Sequence, residues 1–203
     1  MTPDRLVLAT GNAGKVGELT ALVREWGPVT VLSLADFPDV VPPEEGETSY
    51  VDNAVAKACA AAAATGLPAL GDDAGLEVDA LGGAPGVLSA RYAASADARI
   101  ARLLAALAGT VGAARTARFR CALAVALPDG RVVTAEGTCE GRIADAPSGA
   151  GGFGYDPVFV SDDLGETFGT ASAAAKARVS HRARAMRAMG ERLASIARPG
   201  GPC

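Results

Sequence analysis

Strand-type and helix-type hydrophobic periods alternate along this chain of 203 residues, and that alternation restricts it to folds that combine strands with helices. A compact apolar run at 5–10 leads through a glycine-rich turn into apolar residues at helical spacing from Val16. Period-two alternation at 119–127, followed by a turn at Asp129-Gly130, predicts a long hairpin. A last helix is predicted to begin after Ser180.

The composition indicates an ordinary apolar core. With 49% hydrophobic and 21% charged residues, a chain of this length buries roughly 70% of its unfolded surface and needs no disulfide. We expect one domain at 1–198 and a disordered tail at 199–203. No apolar run approaches the roughly 18 residues of a membrane span, and no basic-then-apolar leader opens the chain. A cytoplasmic location is therefore the expectation.

Charge and cysteine usage narrow the kinds of partner. A net charge of −4 argues against binding to nucleic acid or to a membrane surface, because both require a basic face. A small anion held by a few focused cations is compatible with this charge. The four cysteines form no CxxC pair and the chain has a single histidine, so we expect no zinc site and a reducing compartment.

Two consecutive carboxylates, Asp72 and Asp73, lie between apolar runs at 67–70 and 76–81. A buried acid pair is costly unless Mg²⁺ or a basic side chain compensates the charge. This position is therefore a candidate metal site. The alternative is a solvated Asp-Asp turn.

A second candidate is the turn between the first strand and the first helix, which reads Thr10-Gly11-Asn12-Ala13-Gly14-Lys15. Free backbone N–H groups at a helix N-terminus bind phosphate, and Lys15 adds a charge. The turn is not a P-loop, because Ala9 and Val16 stand where that pattern needs Gly and Ser or Thr. An ordinary tight turn is the alternative.

Lysine is rare in this chain, with three lysines against sixteen arginines. A lysine in such a sequence suggests a site that needs a compact point charge. Lys57 lies on a predicted helix that Ser49 caps and Gly66 closes. Glu44 and Glu45 precede it in a loop, where acidic residues are more often solvated than ligands.

Two further segments carry aromatic or imidazole groups. The run 149–154 matches GxGxxG, but neither a strand nor a helix flanks it, so the dinucleotide fingerprint fails. The loop contains Phe153 and Tyr155. These aromatic side chains could stack on a flat ring of a ligand, or they could pack in the core. His181 falls in the first turn of the last helix and suits either donation to a ligand oxygen or a structural cap.

These segments together resemble the inosine triphosphate pyrophosphatase family. The collinear matches are Leu8 to Lys15, Asn53 with Lys57, Asp72-Asp73-Ala74-Gly75-Leu76, Gly83-Ala84-Pro85-Gly86-Val87 with Ser89-Ala90-Arg91-Tyr92, Gly151 to Pro157 and Ser180-His181-Arg182. The resemblance implies hydrolysis of ITP, dITP and XTP to the monophosphate and pyrophosphate, a need for Mg²⁺ and a homodimer. It also implies an elongated mixed α/β fold, with two lobes around a central cleft.

The resemblance also assigns residues. Triphosphate contacts fall on the 10–15 turn, chiefly Thr10, Asn12 and Lys15, with Lys57 nearby. Metal ligands fall on Glu44 and Asp73, and Asp73 is also the proton acceptor. Base contacts fall on Phe153, Gly154, Tyr155, Asp156, Lys176, His181 and Arg182.

Two departures from the family pattern stand out. Ala74 replaces the usual Ser of the substrate contact, which forfeits a hydrogen bond worth about 0.5–1.5 kcal/mol. The stretch before Lys176 is Ala173-Ala174-Ala175 rather than acidic.

Donors from His181 and Arg182 would pair with a 6-keto oxygen and reject adenine, but they do not explain the exclusion of GTP. Two other functions are compatible with the same motifs. One is a pyrophosphatase acting on modified pyrimidine nucleotides, and the other is a non-catalytic nucleotide-binding module.

Overall fold

A computed structural model of the chain describes residues 3–196. The strands are β1 Arg5–Leu8, β2 Thr30–Ser33, β3 Ala69–Val78, β4 Pro85–Gly86, β5 Thr116–Ala126, β6 Val132–Ile143 and β7 Phe159–Ser161. The α-helices are α1 Ala13–Val23, α2 Tyr50–Thr65, α3 Ala96–Ala106, α4 Ala173–Val179 and α5 His181–Ile196. The expected mixed α/β class is confirmed.

The strands form one seven-stranded sheet with the order β2-β1-β3-β5-β6-β7, and β4 pairs with β3. β1 is parallel to both β2 and β3, with Val7 opposite Ala69. β4 is antiparallel to β3, and β7 is antiparallel to β6. The sheet is therefore mixed, with its parallel part at the β2-β1-β3 end.

The chain divides into two compact units. The first contains the residues up to Asp73, Cys121–Gly137 and the residues from Arg182 onwards. The second contains Ala74–Arg120 and Thr138–His181. The single domain expected at 1–198 stays a prediction, and the tail expected at 199–203 lies outside the described residues.

Each unit has its own apolar core. The first unit buries residues of β1, α1 and the start of β3, among them Leu6, Leu8, Leu19, Val23 and Leu70. The second buries a cluster that includes Leu76, Leu103, Phe119, Phe159 and Phe168. Within 3–196 no helix is long and apolar enough to cross a membrane.

Helix α2 has the ends that its sequence predicts. The Ser49 side chain accepts a hydrogen bond from the backbone N–H of Asp52, and Gly66 closes the helix in the left-handed conformation with φ 66°. At its centre α2 packs directly on β3, because Gly71 lacks a side chain. A Cβ at Gly71 would lie 2.0 Å from the carbonyl oxygen of Ala54.

Three predictions about elements need correction. The two apolar runs around the Asp pair are one continuous strand, β3. Helix α1 begins at Ala13 rather than Val16, because the Asn12 side chain caps it by accepting from the N–H of Lys15 at 3.1 Å. Helix α4 was not expected; Ser172 caps it, and it contains the alanine run before Lys176.

Candidate active site

Asp72 and Asp73 lie in the middle of β3, with 1% and 5% of their surface exposed. A solvated turn is therefore the wrong description. Neighbouring strand residues point to opposite faces of a sheet, so the two carboxylates have different surroundings. A buried carboxylate must be compensated, and each of these two pairs with at least one cation.

Asp72 is held by two cations and a thiol. Its carboxylate lies 2.5 Å from the Lys15 ammonium and 2.8 Å from Nε of Arg182. The Cys121 thiol donates to the same carboxylate at 3.3 Å. Burial alone would raise the pKa of Asp72, but the charges of Arg182 and Lys15 hold it well below its ordinary value. Asp72 is therefore an ionised group whose oxygens are already engaged.

Arg182 is a buried cation with two carboxylate partners. Besides Asp72, its guanidinium contacts Glu18 of helix α1 at 2.5 Å, and only 1% of Arg182 is exposed. Burial opposes its charge, but Asp72 and Glu18 raise the pKa of Arg182 above its ordinary value. The structure thus assigns Arg182 to the support of Asp72, and its predicted contact with the base stays a prediction.

Asp73 has a separate set of partners from helix α2. The Lys57 ammonium contacts Asp73 Oδ1 at 3.0 Å, and the Asn53 amide donates to Oδ2 at 3.0 Å. Burial opposes the charge of Lys57, but Asp73 and Glu45 outweigh it and raise the pKa of Lys57. One helical turn separates Asn53 from Lys57, so α2 presents both donors to one carboxylate.

The loop before α2 contributes Glu45. Its carboxylate pairs with the Lys57 ammonium, so Lys57 links Glu45 to Asp73. The loop is fixed by Asn53, which accepts from the N–H of Gly46 at 2.8 Å and donates to its carbonyl at 3.1 Å. Glu44 is exposed, and its role as a metal ligand stays a prediction.

The two lysines converge on one backbone atom. The carbonyl oxygen of Asp72 accepts from Lys15 at 3.4 Å and from Lys57 at 3.3 Å, so the two ammonium groups are near neighbours. The 10–15 turn carries Lys15 beside the capped N-terminus of α1, where Thr10 Oγ1 accepts from the N–H of Asn12. This brings together the predicted phosphate-binding turn, Lys57 and the Asp pair.

The charges of this cluster nearly cancel. Its members are the cations Lys15, Lys57 and Arg182 and the carboxylates Glu18, Glu45, Asp72 and Asp73. The carboxylates outnumber the cations by one, which favours a further cation. Within the described residues no group of three or more His, Cys, Asp or Glu side chains is arranged to hold a metal. Any metal here would depend on one or two carboxylates and on ligand oxygens.

The second unit holds a different buried pair. Asp156 and Lys176 are 2% and 6% exposed, and their charged groups are 2.5 Å apart. Asp156 also accepts from the N–H of Phe153 at 2.7 Å, and the Lys176 ammonium lies 5.0 Å from the centre of the Phe153 ring. Gly152 is required here, because a Cβ would lie 1.9 Å from the Asp156 carboxylate. The glycine loop therefore wraps closely around Asp156.

His181 belongs to an aromatic stack in the same unit. Its ring lies 4.6 Å from the Phe119 ring at an interplanar angle of 16°, and Phe119 is in turn stacked on Phe168. Tyr155 donates its hydroxyl to the carbonyl of Ser89 at 3.0 Å. The structure therefore gathers Phe153, Tyr155, Asp156, Lys176 and His181 in one unit, as core and loop groups.

Four participants had no assigned role in the sequence. Asn53 was part of a motif, and its position one turn before Lys57 is the signal that it shares a face with that lysine. Glu45 stood next to Glu44, the residue to which the family resemblance assigned the metal. Glu18 follows Lys15 by three residues on α1, but its partner Arg182 is remote in sequence. Cys121 gave no signal, because it reads as one more apolar residue of β5.

Comparison with known proteins identifies the class. The model of the Ham1 family matches residues 6–192, and the chain belongs to this family. The resemblance found in the motifs is thereby confirmed.

Particular relatives share half of the sequence. The dITP/XTP pyrophosphatase of Geobacillus kaustophilus is 50% identical over 194 residues, which cover 94% of this chain and 95% of that protein. A protein of the same name from Thermus thermophilus is 50% identical over 187 residues, covering 91% and 89%. The structure of the Staphylococcus aureus Ham1 protein is similar with a TM-score of 0.81 at 35% identity, covering 95% of this chain and 99% of that one.

Proposed function

We propose that this chain is a nucleoside triphosphate pyrophosphatase that converts ITP, dITP and XTP to the monophosphate and pyrophosphate. The observation that carries the proposal is the convergence of Lys15 and Lys57 on the Asp72 carbonyl, next to the buried Asp73. The dITP/XTP pyrophosphatases at about half identity support the same substrates.

The triphosphate is bound by the first unit. The N-terminus of α1 offers backbone N–H groups, and Lys15 and Lys57 offer point charges beside it. Hydrolysis between the α and β phosphates develops negative charge on the leaving pyrophosphate, and ammonium groups in fixed positions stabilise that charge. For this, Lys57 must exchange part of its contact with Glu45 and Asp73 for phosphate.

Magnesium is part of the proposal, because the donor set suits it. The available groups are carboxylate oxygens, which Mg²⁺ prefers, and Mg²⁺ keeps several positions for water and phosphate. Asp73 together with Glu44 or Glu45 would hold the ion. When bound, it would neutralise phosphate charge and polarise the scissile phosphate.

Asp73 is the proposed proton acceptor. Lys57 and Asn53 each hold one of its oxygens, so the carboxylate is oriented before substrate arrives. It would take the proton of a water that attacks in line with the leaving pyrophosphate. Asp72 is unsuited to this role, because Lys15, Arg182 and Cys121 already occupy its oxygens.

Base recognition is assigned to the second unit. Phe153 supplies a ring for stacking, and Lys176 and His181 supply donors for a 6-keto oxygen. Adenine has an amino group at that position, which cannot accept these hydrogen bonds. We also propose that the protein is a homodimer, as the family resemblance implies, and that it is located in the cytoplasm.

The test is pyrophosphate release from ITP, XTP, GTP, ATP and a methylated UTP, with and without Mg²⁺. The native chain should hydrolyse ITP and XTP in preference to ATP, and only with Mg²⁺. Asp73→Asn should lose activity, whereas Asp129→Asn, which changes an exposed carboxylate in the β5–β6 turn, should keep it. Equal turnover of ATP and ITP, or full activity of Asp73→Asn, would refute the proposal.

A further inference from the structure

The segment 83–92 carries one of the sequence motifs, but the function proposed above gives it no role. All of it lies in the second unit. Strand β4 at its start pairs with β3, so that Gly86 is opposite Leu76. A short 3-10 turn at Ser89–Arg91 follows. The segment therefore runs beside β3 just after the Asp pair.

The Ser89 hydroxyl makes two hydrogen bonds. Oγ accepts from the backbone N–H of Leu76 at 2.8 Å and donates to the carbonyl of Gly86 at 2.6 Å. Ser89 is only 6% exposed, so water does not readily replace either bond. Leu76 is on the strand that carries Asp73, three residues further on. The hydroxyl thus fixes the 3-10 turn on this strand.

The backbone of Ser89 makes a second connection. Its carbonyl accepts the hydroxyl of Tyr155 at 3.0 Å. Burial raises the pKa of Tyr155, so the phenol keeps the proton that it donates. Tyr155 lies between Phe153 and Asp156 in the loop to which base contacts are assigned. Ser89 therefore connects β3 with this loop by hydrogen bonds on both sides.

Helix α3 holds the same turn from another side. Arg99 donates to the carbonyl of Ala90 at 3.0 Å, and Arg102 donates to the carbonyl of Tyr92 at 2.5 Å. The Arg102 guanidinium also lies 4.2 Å from the centre of the Tyr92 ring. With these neighbouring carbonyls engaged, the turn has little freedom to move independently of Ser89.

We propose that Ser89 is a positioning residue for base recognition. Its hydroxyl sets the turn on β3, and its carbonyl sets Tyr155 and, through Tyr155, the loop with Phe153 and Asp156. This inference rests on the proposed function, since it concerns how the same substrate is recognised. It predicts that damage to Ser89 weakens contacts with the base and leaves contacts with the phosphates intact.

Two variants test the connection from its two ends. Ser89→Ala removes the hydroxyl, and Tyr155→Phe removes the donor to the Ser89 carbonyl. Each should raise the KM and the calorimetric Kd for ITP about 3- to 10-fold, the equivalent of one hydrogen bond. The inhibition constant of inorganic tripolyphosphate should not change, because this probe has no base.

The double variant separates a connected path from two independent contacts. If both changes interrupt one path, Ser89→Ala with Tyr155→Phe should weaken ITP binding no more than the stronger single change. Additive losses would mean that Tyr155 contacts the base directly and that Ser89 acts elsewhere, which would overturn the inference. If Ser89→Ala does not fold, an unchanged ITP Kd in Tyr155→Phe still overturns the inference.

Ser161→Ala is the matched control. Ser161 is a fully buried serine of β7 in the same unit, and its loss should lower the Tm without changing ITP affinity. An unchanged ITP Kd in both test variants, or an equal rise for tripolyphosphate, would also overturn the inference. If the native chain binds ITP but releases no pyrophosphate, the proposed function fails, while the Kd comparison still decides the role of Ser89.

Discussion

Replacing Asp72 by Asn should destabilise the protein strongly at neutral pH. The substitution keeps the size of the side chain but removes the charge that faces Lys15 and Arg182. Because Asp72 and Arg182 are each only 1% exposed, Arg182 loses a partner that water cannot readily replace. Removing one member of a buried ion pair typically costs about 3–5 kcal/mol. That is a large part of the roughly 5–15 kcal/mol that stabilises an ordinary domain.

The same substitution should also make the free energy of unfolding depend less on pH in the acid range. The pKa of Asp72 is lowered in the folded state, from an ordinary value of 3.8. The unfolded chain therefore binds a proton before the folded chain does, and stability is complete above that value and falls as the pH drops below it. One such group contributes a slope of about 1.4 kcal/mol per pH unit. Asn does not titrate, so the variant lacks this contribution.

Urea denaturation at pH 7, 5, 4 and 3 would measure both effects. Trp26 is the single tryptophan, and its indole N–H donates to the carbonyl of Met186 at 3.1 Å, so its fluorescence reports on the unit that contains Asp72. Asp129→Asn is the control in the same unit, because the hydrogen bond with Arg131 also lowers the pKa of Asp129, but that side chain is 53% exposed. It should lose much less stability. Native-like stability of Asp72→Asn at pH 7, or an unchanged acid slope, would refute the reasoning.

Three further substitutions test how the packing and the side chains of α2 position Asp73. Gly71→Ala should cost at least about 1–3 kcal/mol in thermal or urea unfolding, because its Cβ would meet the Ala54 carbonyl at 2.0 Å; an unchanged Tm would contradict the close packing. Lys57→Met should raise the inhibition constant of tripolyphosphate about 10-fold or more, because one charged hydrogen bond is lost. An unchanged inhibition constant would show that Lys57 does not contact the phosphates. Asn53→Ala should raise the Mg²⁺ concentration needed for half-maximal activity, because both the loop with Glu45 and the Asp73 carboxylate lose a hydrogen bond. An unaltered Mg²⁺ dependence would show that Asn53 does not position the metal ligands.

The ends of α2 could be predicted because their signals are local. Ser49 bonds to an N–H three residues away, and Gly66 adopts a left-handed conformation that other residues avoid. β3 could not be read as one strand, since Asp is unfavourable in strands. The cations that stabilise Asp72 and Asp73 there come from distant parts of the chain, and no local pattern reveals them.

The sequence predicted which residues form the candidate site better than it predicted which of them contact each other. Lys15, Lys57 and Asp73 do come together, as expected from the family motifs. The pairing of Arg182 with Asp72 joins residues 110 positions apart, and only the tertiary fold decides it. The family motifs pointed to Glu44, whereas the glutamate that pairs with Lys57 is Glu45. That pairing depends on how the amide of Asn53 fixes the loop at Gly46.

Because Lys15 and Lys57 each already pair with a carboxylate, a phosphate site built on them would discriminate among anions by charge. A chloride or a single phosphate ion would contact one ammonium at a time and would have to compete with its internal carboxylate partner. A polyphosphate chain would contact both lysines at once. Its contacts with the two ammonium groups would together offset the loss of both carboxylate contacts. Small anions would then compete only weakly with a nucleoside triphosphate for the two lysines.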